Sequence, residues 1–220
     1  MPSHHRFAIA LATSALLLCQ PLFAFDSPLS PEAIRDAYFL GQRHDETFAQ
    51  ALAKYTLSLD PPKSGPYIQS VTLLTPYAQI VRASNRTSNY SAQQAQLDYL
   101  GKPETITVSV VIYLTDSYPA VLTRPTGSRT AAPTGFVFRP SSFWRDFVIS
   151  VYPGSGDQTI SPSAIHGQSF DSCSDNACVL AGATVDLEFP ADAFSSDATI
   201  QIDPPEGDQV VVSFDLSSIR

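Results

Sequence analysis

The stretch Thr105-Ile106-Thr107-Val108-Ser109-Val110-Val111-Ile112-Tyr113-Leu114 decides the fold class of this chain. Ile106, Val108, Val110, Ile112 and Leu114 fall on one side. Thr105, Thr107, Ser109, Val111 and Tyr113 fall on the other. A period of two, carried largely by β-branched residues, is a strand with one face in a core and a moderately polar opposite face.

The same period recurs on both sides of it. Downstream, Ala183, Val185, Leu187 and Phe189 alternate with Thr184, Asp186 and Glu188. Ile200 and Ile202 alternate with Thr199, Gln201 and Asp203. After the turn Pro204-Pro205-Glu206-Gly207, Val210, Val212, Phe214 and Leu216 alternate with Val211, Ser213 and Asp215. This predicts an antiparallel hairpin. Phe136–Phe138 and Phe143–Tyr152 read as further strands, with Pro153–Asp157 as a turn and the Pro- and Thr-rich run Asp116–Thr134 as a long loop. Upstream, Tyr67–Thr75 reads as a strand with Ile68, Ser70, Thr72 and Leu74 on one side and Val71 and Leu73 on the other. Pro76 makes it an edge, or bends it before Tyr77–Arg82. Some seven short strands with turn signals predict a mainly β chain, an antiparallel β-sandwich, Ig-like or similar. The long Pro-rich loop and the helical segments argue against a transmembrane barrel.

Two helices precede the strands. Ser30-Pro31-Glu32 combines a capping oxygen, a Pro at the first helical position and an early acid. Ala33, Ile34, Ala37, Tyr38 and Gly41 follow at helical spacing. Asp45 caps a second segment in which Phe48, Ala51, Leu52 and Tyr55 share a face, and Asp60-Pro61-Pro62 stops it. Residues 30–58 therefore predict an N-terminal helical hairpin packed on the sandwich. Ser91 caps a short helix through Leu100. The expected organisation is a signal peptide (1–24), the helical hairpin (25–64) and a β-sandwich domain (65–220).

The signal peptide rests on a three-part layout: the basic start His4-His5-Arg6, the apolar run Phe7–Leu18, and Leu22-Phe23-Ala24 before Phe25. The apolar run is too short for a stable membrane anchor, so no transmembrane span is expected in the mature chain. The expected location is secreted or periplasmic. Leu16-Leu17-Leu18-Cys19 loosely resembles the bacterial lipoprotein cleavage box, although Leu18 stands where that box has a small residue. Anchoring through Cys19 is the alternative.

Of the three cysteines, Cys19 leaves with the signal. The remaining pair, Cys173 and Cys178, predicts a disulfide in an oxidising compartment. So short a loop gains about 2 kcal/mol in the chain-entropy model, enough to pin a loop and not a domain.

Net charge is −8, and −9 once Arg6 is removed. From Asp146 onward there are twelve carboxylates, with Arg220 as the lone Lys or Arg. Such a surface repels phosphates and anionic lipid, which excludes nucleic acid as an expected partner. The acids fall on outward strand positions and turns, where they also oppose edge-to-edge aggregation.

Catalytic motifs are sparse. There is no G-x-S-x-G elbow, and Gly154-Ser155-Gly156 lies in a turn. His166, Ser169 and Asp171 have the composition of a triad, but closeness in sequence is poor evidence for one. His44-Asp45-Glu46 is not H-E-x-x-H, and no zinc site, phosphate loop or dinucleotide fingerprint occurs. Asp171, Asp175 and Asn176 supply hard oxygen ligands for calcium, without EF-hand spacing. Trp144, Tyr152, Tyr118 and Tyr90 are aromatics that a sugar could use, with Trp144 better placed in a core. Asn85-Arg86-Thr87 and Asn89-Tyr90-Ser91 match the glycosylation sequon. No catalytic residue, metal or cofactor is expected. The reading is an exported, non-catalytic protein with a binding or structural role toward a protein or carbohydrate partner. A secreted hydrolase of glycosides or esters is the alternative.

Overall fold

The computed structural model describes residues 25–115, 120–122, 137–154, 156–174 and 177–220. The expected signal peptide with Cys19, most of the 116–134 loop including Tyr118, Ser155, and the candidate calcium ligands Asp175 and Asn176 lie outside them.

The fold is mainly β, with two antiparallel sheets and a layer of helices. Helices α1 (Pro31–Gly41) and α2 (Glu46–Ala53) lead into β1 (Thr56–Ser58) and β2 (Pro66–Leu74). Helices α3 (Pro76–Arg86) and α4 (Ala92–Leu100) follow, then β3 (Thr105–Leu114), β4 (Ala120–Leu122) and β5 (Val137–Arg139). A 3-10 turn at Phe143–Asp146 precedes β6 (Val148–Pro153). Strands β7 (Ala164–Ser174), β8 (Ala177–Pro190), β9 (Asp197–Asp203) and β10 (Val210–Asp215) complete the chain. The large sheet runs β1-β2-β3-β8-β7, all antiparallel. The short β4 touches β8 at Leu180 and pairs in parallel with β5. The small sheet is β10-β9-β6.

The opening strand is the axis of the large sheet. Ile106, Val108, Val110 and Ile112 are buried, and they share one apolar core with Val185, Leu187 and Phe189 of β8 and with Ala198, Ile200, Ile202, Val212 and Phe214 of the small sheet. The predicted alternations of β8 and of the β9–β10 hairpin hold, with Val210 opposite Ile202 and Asp215 opposite Asp197.

The other face of β3 is not open. Thr107 and Ser109 are each only 6% exposed. Helix α3 packs along β2 and β3, and its Gln79 side-chain amide donates to the Leu74 and Thr105 carbonyls.

That helix corrects the sequence reading, which continued an extended chain from Tyr77 to Arg82. Thr75-Pro76 is a helix start of the same kind as Ser30-Pro31. The Thr75 hydroxyl accepts from the Ala78 amide at 3.3 Å, and Pro76 occupies the first turn. Tyr77, Ile80, Val81 and Ser84 then line a buried helical face.

A second correction concerns β2. A bulge between Ile68 and Ser70 inserts Gln69, so Ile68 shares the buried side with Val71 and Leu73, not the side of Ser70 and Thr72. A third is Phe143–Phe147, where the expected strand begins as the 3-10 turn. The three-residue β4 lies inside the expected long loop.

Both predicted N-terminal helices form, and Ser30 and Asp45 cap them as expected. They are not a self-contained packed hairpin. Helix α1 packs mainly on α3 and α4, and α2 has no fully buried residue. The helices therefore form their own apolar cluster, with Ala33, Ile34 and Ala37 against Tyr77, Ile80, Val81 and Ala95. Gly41 permits the close crossing, because a Cβ there would lie 2.3 Å from the Val81 carbonyl oxygen. No described helix is long and apolar enough to cross a membrane.

Polar ties also hold this layer. Arg220 pairs with Asp26 at 2.7 Å and stacks over the Tyr77 ring at 5.0 Å, while the Tyr55 and Thr75 hydroxyls donate to its main-chain oxygen. The Tyr90 hydroxyl donates to Asp98 at 3.0 Å. Burial, and then the Asp98 carboxylate, push the Tyr90 phenol from 10.0 up to about 12. A raised phenol contributes stability that is present below its unfolded value and is lost as pH climbs toward 12. Burial raises the Tyr55 and Tyr77 phenols as well, so absorbance titration at alkaline pH is expected to show several late tyrosines, of which Tyr90→Phe removes one. An unchanged curve in that variant would refute this assignment.

Candidate functional site

A concavity opens where the ends of the two sheets meet. One wall is the β1–β2 connection, and the other is the β9–β10 turn. Both are shaped by glycines that need a left-handed backbone: Gly65 at φ +97° and Gly207 at φ +101°. The Gly65 carbonyl accepts from the Thr115 amide at 3.2 Å and from its hydroxyl at 3.1 Å, which fixes the first wall to the end of β3. The second wall is braced by Asp203, which accepts from Gln209 and from Gln201. These bonds, that from Gln209 first, hold the Asp203 carboxyl below its usual range.

The cleft between them has a volume of about 570 Å³. Its lining is apolar at depth, with buried Pro66 and Ile68 and half-buried Leu59, Pro204 and Val210. Its exposed members are Pro62, Gly207 and the polar Asp60, Ser64, Glu206 and Asp208. Arg139 reaches Glu206 at 3.5 Å. An apolar pocket of several hundred Å³ with a few polar groups at its mouth is the usual form of a small-ligand site. Nothing in the local sequence revealed it. Asp60-Pro61-Pro62 and Pro204-Pro205-Glu206-Gly207 were legible as turns, but their meeting depends on how the sheets pack.

The triad-like residues do not come together. His166 stands opposite Asp186, and Ser169 opposite the core residue Ala183, so His166 and Ser169 lie on opposite faces of β7. The register builds a different row instead, Thr56-Thr72-Ser109-Asp186-His166, across five strands. Here the carboxylate stands between serine and histidine, and Ser109 is buried, which is not the order of a nucleophile and its base. Asp186 Oδ1 is buried without a hydrogen-bond partner. Arg82 of α3 faces this carboxylate; burial lowers the guanidinium's pKa and Asp186 opposes that shift. The row couples helix to sheet electrostatically.

A second row on the same face is aromatic. Tyr67, Tyr113 and Phe170 are half-buried neighbours, with ring centroids 6.2 and 5.1 Å apart. Gly182 lies between Tyr113 and Phe170 in the register. Trp144, as expected, packs against the core, lying directly over Gly167, where a Cβ would be 2.1 Å from the indole. Asn85 of the first sequon is in α3, and its amide donates to the Gly41 carbonyl at 3.2 Å, so that nitrogen serves the helix crossing. Asn89 is exposed at φ +60°.

Cys173 and Cys178 are direct cross-strand partners near the end of the β7–β8 hairpin, and Cys173 is exposed. Among the described residues, no group of three or more His, Cys, Asp or Glu is placed to hold a metal ion. No protein-family model matches this chain, and no curated protein matches it in sequence.

Proposed function

We propose that this is an exported, non-catalytic binding protein of the cell envelope or the extracellular space. In this reading the two sheets form a β-sandwich, and the cleft at their end is its ligand site. The observation that carries the reading is the cleft itself: an apolar-floored concavity of about 570 Å³ with polar groups at its rim. Native mass spectrometry of the mature protein, after incubation with a small-molecule extract of its source cells and desalting, tests this. A retained adduct that Val210→Trp loses is expected. No adduct, or one indifferent to Val210→Trp, would reject the reading.

Export is supported by the position of Phe25. Its side chain is 4% exposed within the core, and Asp26 beside it is tied to Arg220. The two residues that follow the expected cleavage point at Ala24 are thus held in the fold. A chain anchored through Cys19 would have only residues 20–24 between lipid and core. Intact mass distinguishes the two: an unmodified start at Phe25 is expected, whereas a diacylglycerol-sized increment on a chain starting at Cys19 would replace free export with anchoring.

The disulfide belongs to the same proposal. Cross-strand partners have Cα separations of about 4.5–5.5 Å, inside the range a disulfide spans. Non-reducing mass analysis is expected to find Cys173 and Cys178 joined, about 2 Da lighter than the dithiol, with no titratable thiol. Two free thiols in unreduced mature protein would exclude it. Since the bond closes only a hairpin end, Cys173→Ser with Cys178→Ser is expected to cost about 2 kcal/mol or less.

A further inference from the structure

We infer that the cleft is selective for an organic cation: an aliphatic amine whose hydrocarbon stem enters the apolar floor and whose ammonium stays at the rim. This deepens the binding reading above and rests on it.

The argument is charge complementarity over an apolar cavity. The rim carries three carboxylates, Asp60, Glu206 and Asp208, all exposed. Among the described cations, Arg139 is matched to Glu206 at 3.5 Å, and Lys63, in the same loop as Asp60, does not line the cleft. Asp60 and Asp208 come from opposite walls and contribute like charge to one opening. The second wall belongs to the stretch from Asp146 onward, which has twelve acids and one basic residue.

An anionic ligand would have to approach against that charge. A neutral apolar ligand would fill the floor without engaging the carboxylates. A cation on an apolar stem satisfies both parts, because the stem displaces water from Ile68, Leu59 and Val210 while the ammonium keeps its hydration and meets the acids at the surface. The carboxylates need no desolvation, so the attraction is modest and sensitive to salt.

Calorimetric or NMR titration of the mature protein with hexylammonium, hexan-1-ol and hexanoate tests the inference. Hexylammonium is expected to bind about tenfold more tightly than hexan-1-ol, and hexanoate not measurably, at low salt. Asp60→Asn combined with Asp208→Asn, both exposed and so compatible with folding, is expected to remove that tenfold preference. The same double variant should leave hexan-1-ol binding unchanged. Val210→Trp is expected to abolish binding of both.

Equal binding of amine and alcohol would overturn the cation selectivity while leaving the cleft as a ligand site. A preference that persists in the double asparagine variant would overturn the role of the two acids. Binding of a Lys-containing peptide with none of hexylammonium would overturn the small-amine assignment. No binding of any probe, combined with no retained adduct from the cell extract, would overturn the cleft reading as well.

Discussion

Gly182→Val is expected to destabilise the protein by about 3 kcal/mol, near the upper end of what overpacking costs, and to lower Tm by roughly 6–12 °C for a chain of this size. Gly182 lies in β8, between Tyr113 of β3 and Phe170 of β7. A Cβ at this position would be 2.2 Å from the Ile112 carbonyl oxygen and 2.6 Å from the Phe170 ring. The ring can rotate away at some cost to the aromatic row. The carbonyl cannot, because it belongs to the backbone of the central strand. Relief therefore requires β3 and β8 to separate locally, which weakens their ladder. Gly156 is the internal control: a Cβ there meets nothing within 4 Å, so Gly156→Ala should stay within about 0.5 kcal/mol of the parent. Urea unfolding of both variants checks the contrast. A Gly182→Val midpoint equal to that of Gly156→Ala would show that the sheet is looser here than the packing implies.

Phe189→Ala is expected to have the larger effect, about 3–5 kcal/mol. Phe189 is 1% exposed, pairs in register with Ile106, and meets the Phe194 ring edge-on at 6.0 Å. Its ring fills the end of the core beside the 3-10 turn at Ala191–Ala193. Truncation removes the transfer free energy of the ring and leaves a cavity whose walls are strands fixed by ladder bonds, so collapse is limited. Val211→Ala, at a position 56% exposed on β10, removes an apolar side chain without a cavity and should cost less than about 0.5 kcal/mol. The comparison is made by denaturant midpoints at unchanged m-value. A loss below about 1 kcal/mol for Phe189→Ala would mean that the core end is fluid or already hydrated.

Both sites are partly legible in the sequence. The alternation through Phe189 marks it as core, and a glycine inside a strand pattern signals close approach of something. What approaches Gly182 cannot be read there, because Ile112 and Phe170 are brought to it by register across two different strand pairs. Helix α3 illustrates a different limit. Its cap, its proline and its buried spacing Tyr77, Ile80, Val81, Ser84 are all present in the sequence. Pro76 is also how a strand ends, and the preceding alternation favours continuing the strand. The bulge at Gln69 is hidden for a related reason, since Ser70 and Thr72 suit a strand on either face.

The candidate site is less legible than the fold. Its walls come from turns near residues 60–66 and 204–208, each recognisable by Pro and Gly. Their juxtaposition requires β2 to pair with β3 and the β9–β10 hairpin to pack across the shared core. The five-strand row containing Ser109, Asp186 and His166 is equally invisible, while the sequence-local group of His166, Ser169 and Asp171 dissolves through strand alternation.

By itself, then, the sequence determined the elements governed by local physics. These are strands from a period of two, helix starts from capping oxygens and prolines, turns from glycine, and an acidic exterior from charged residues at outward positions. The tertiary structure alone decided which faces are covered, which residues stand in line across the sheet, and where a cavity remains. Those outcomes depend on pairing register and layer packing, which are set by free energies summed over residues far apart in the chain and leave no mark within any one segment.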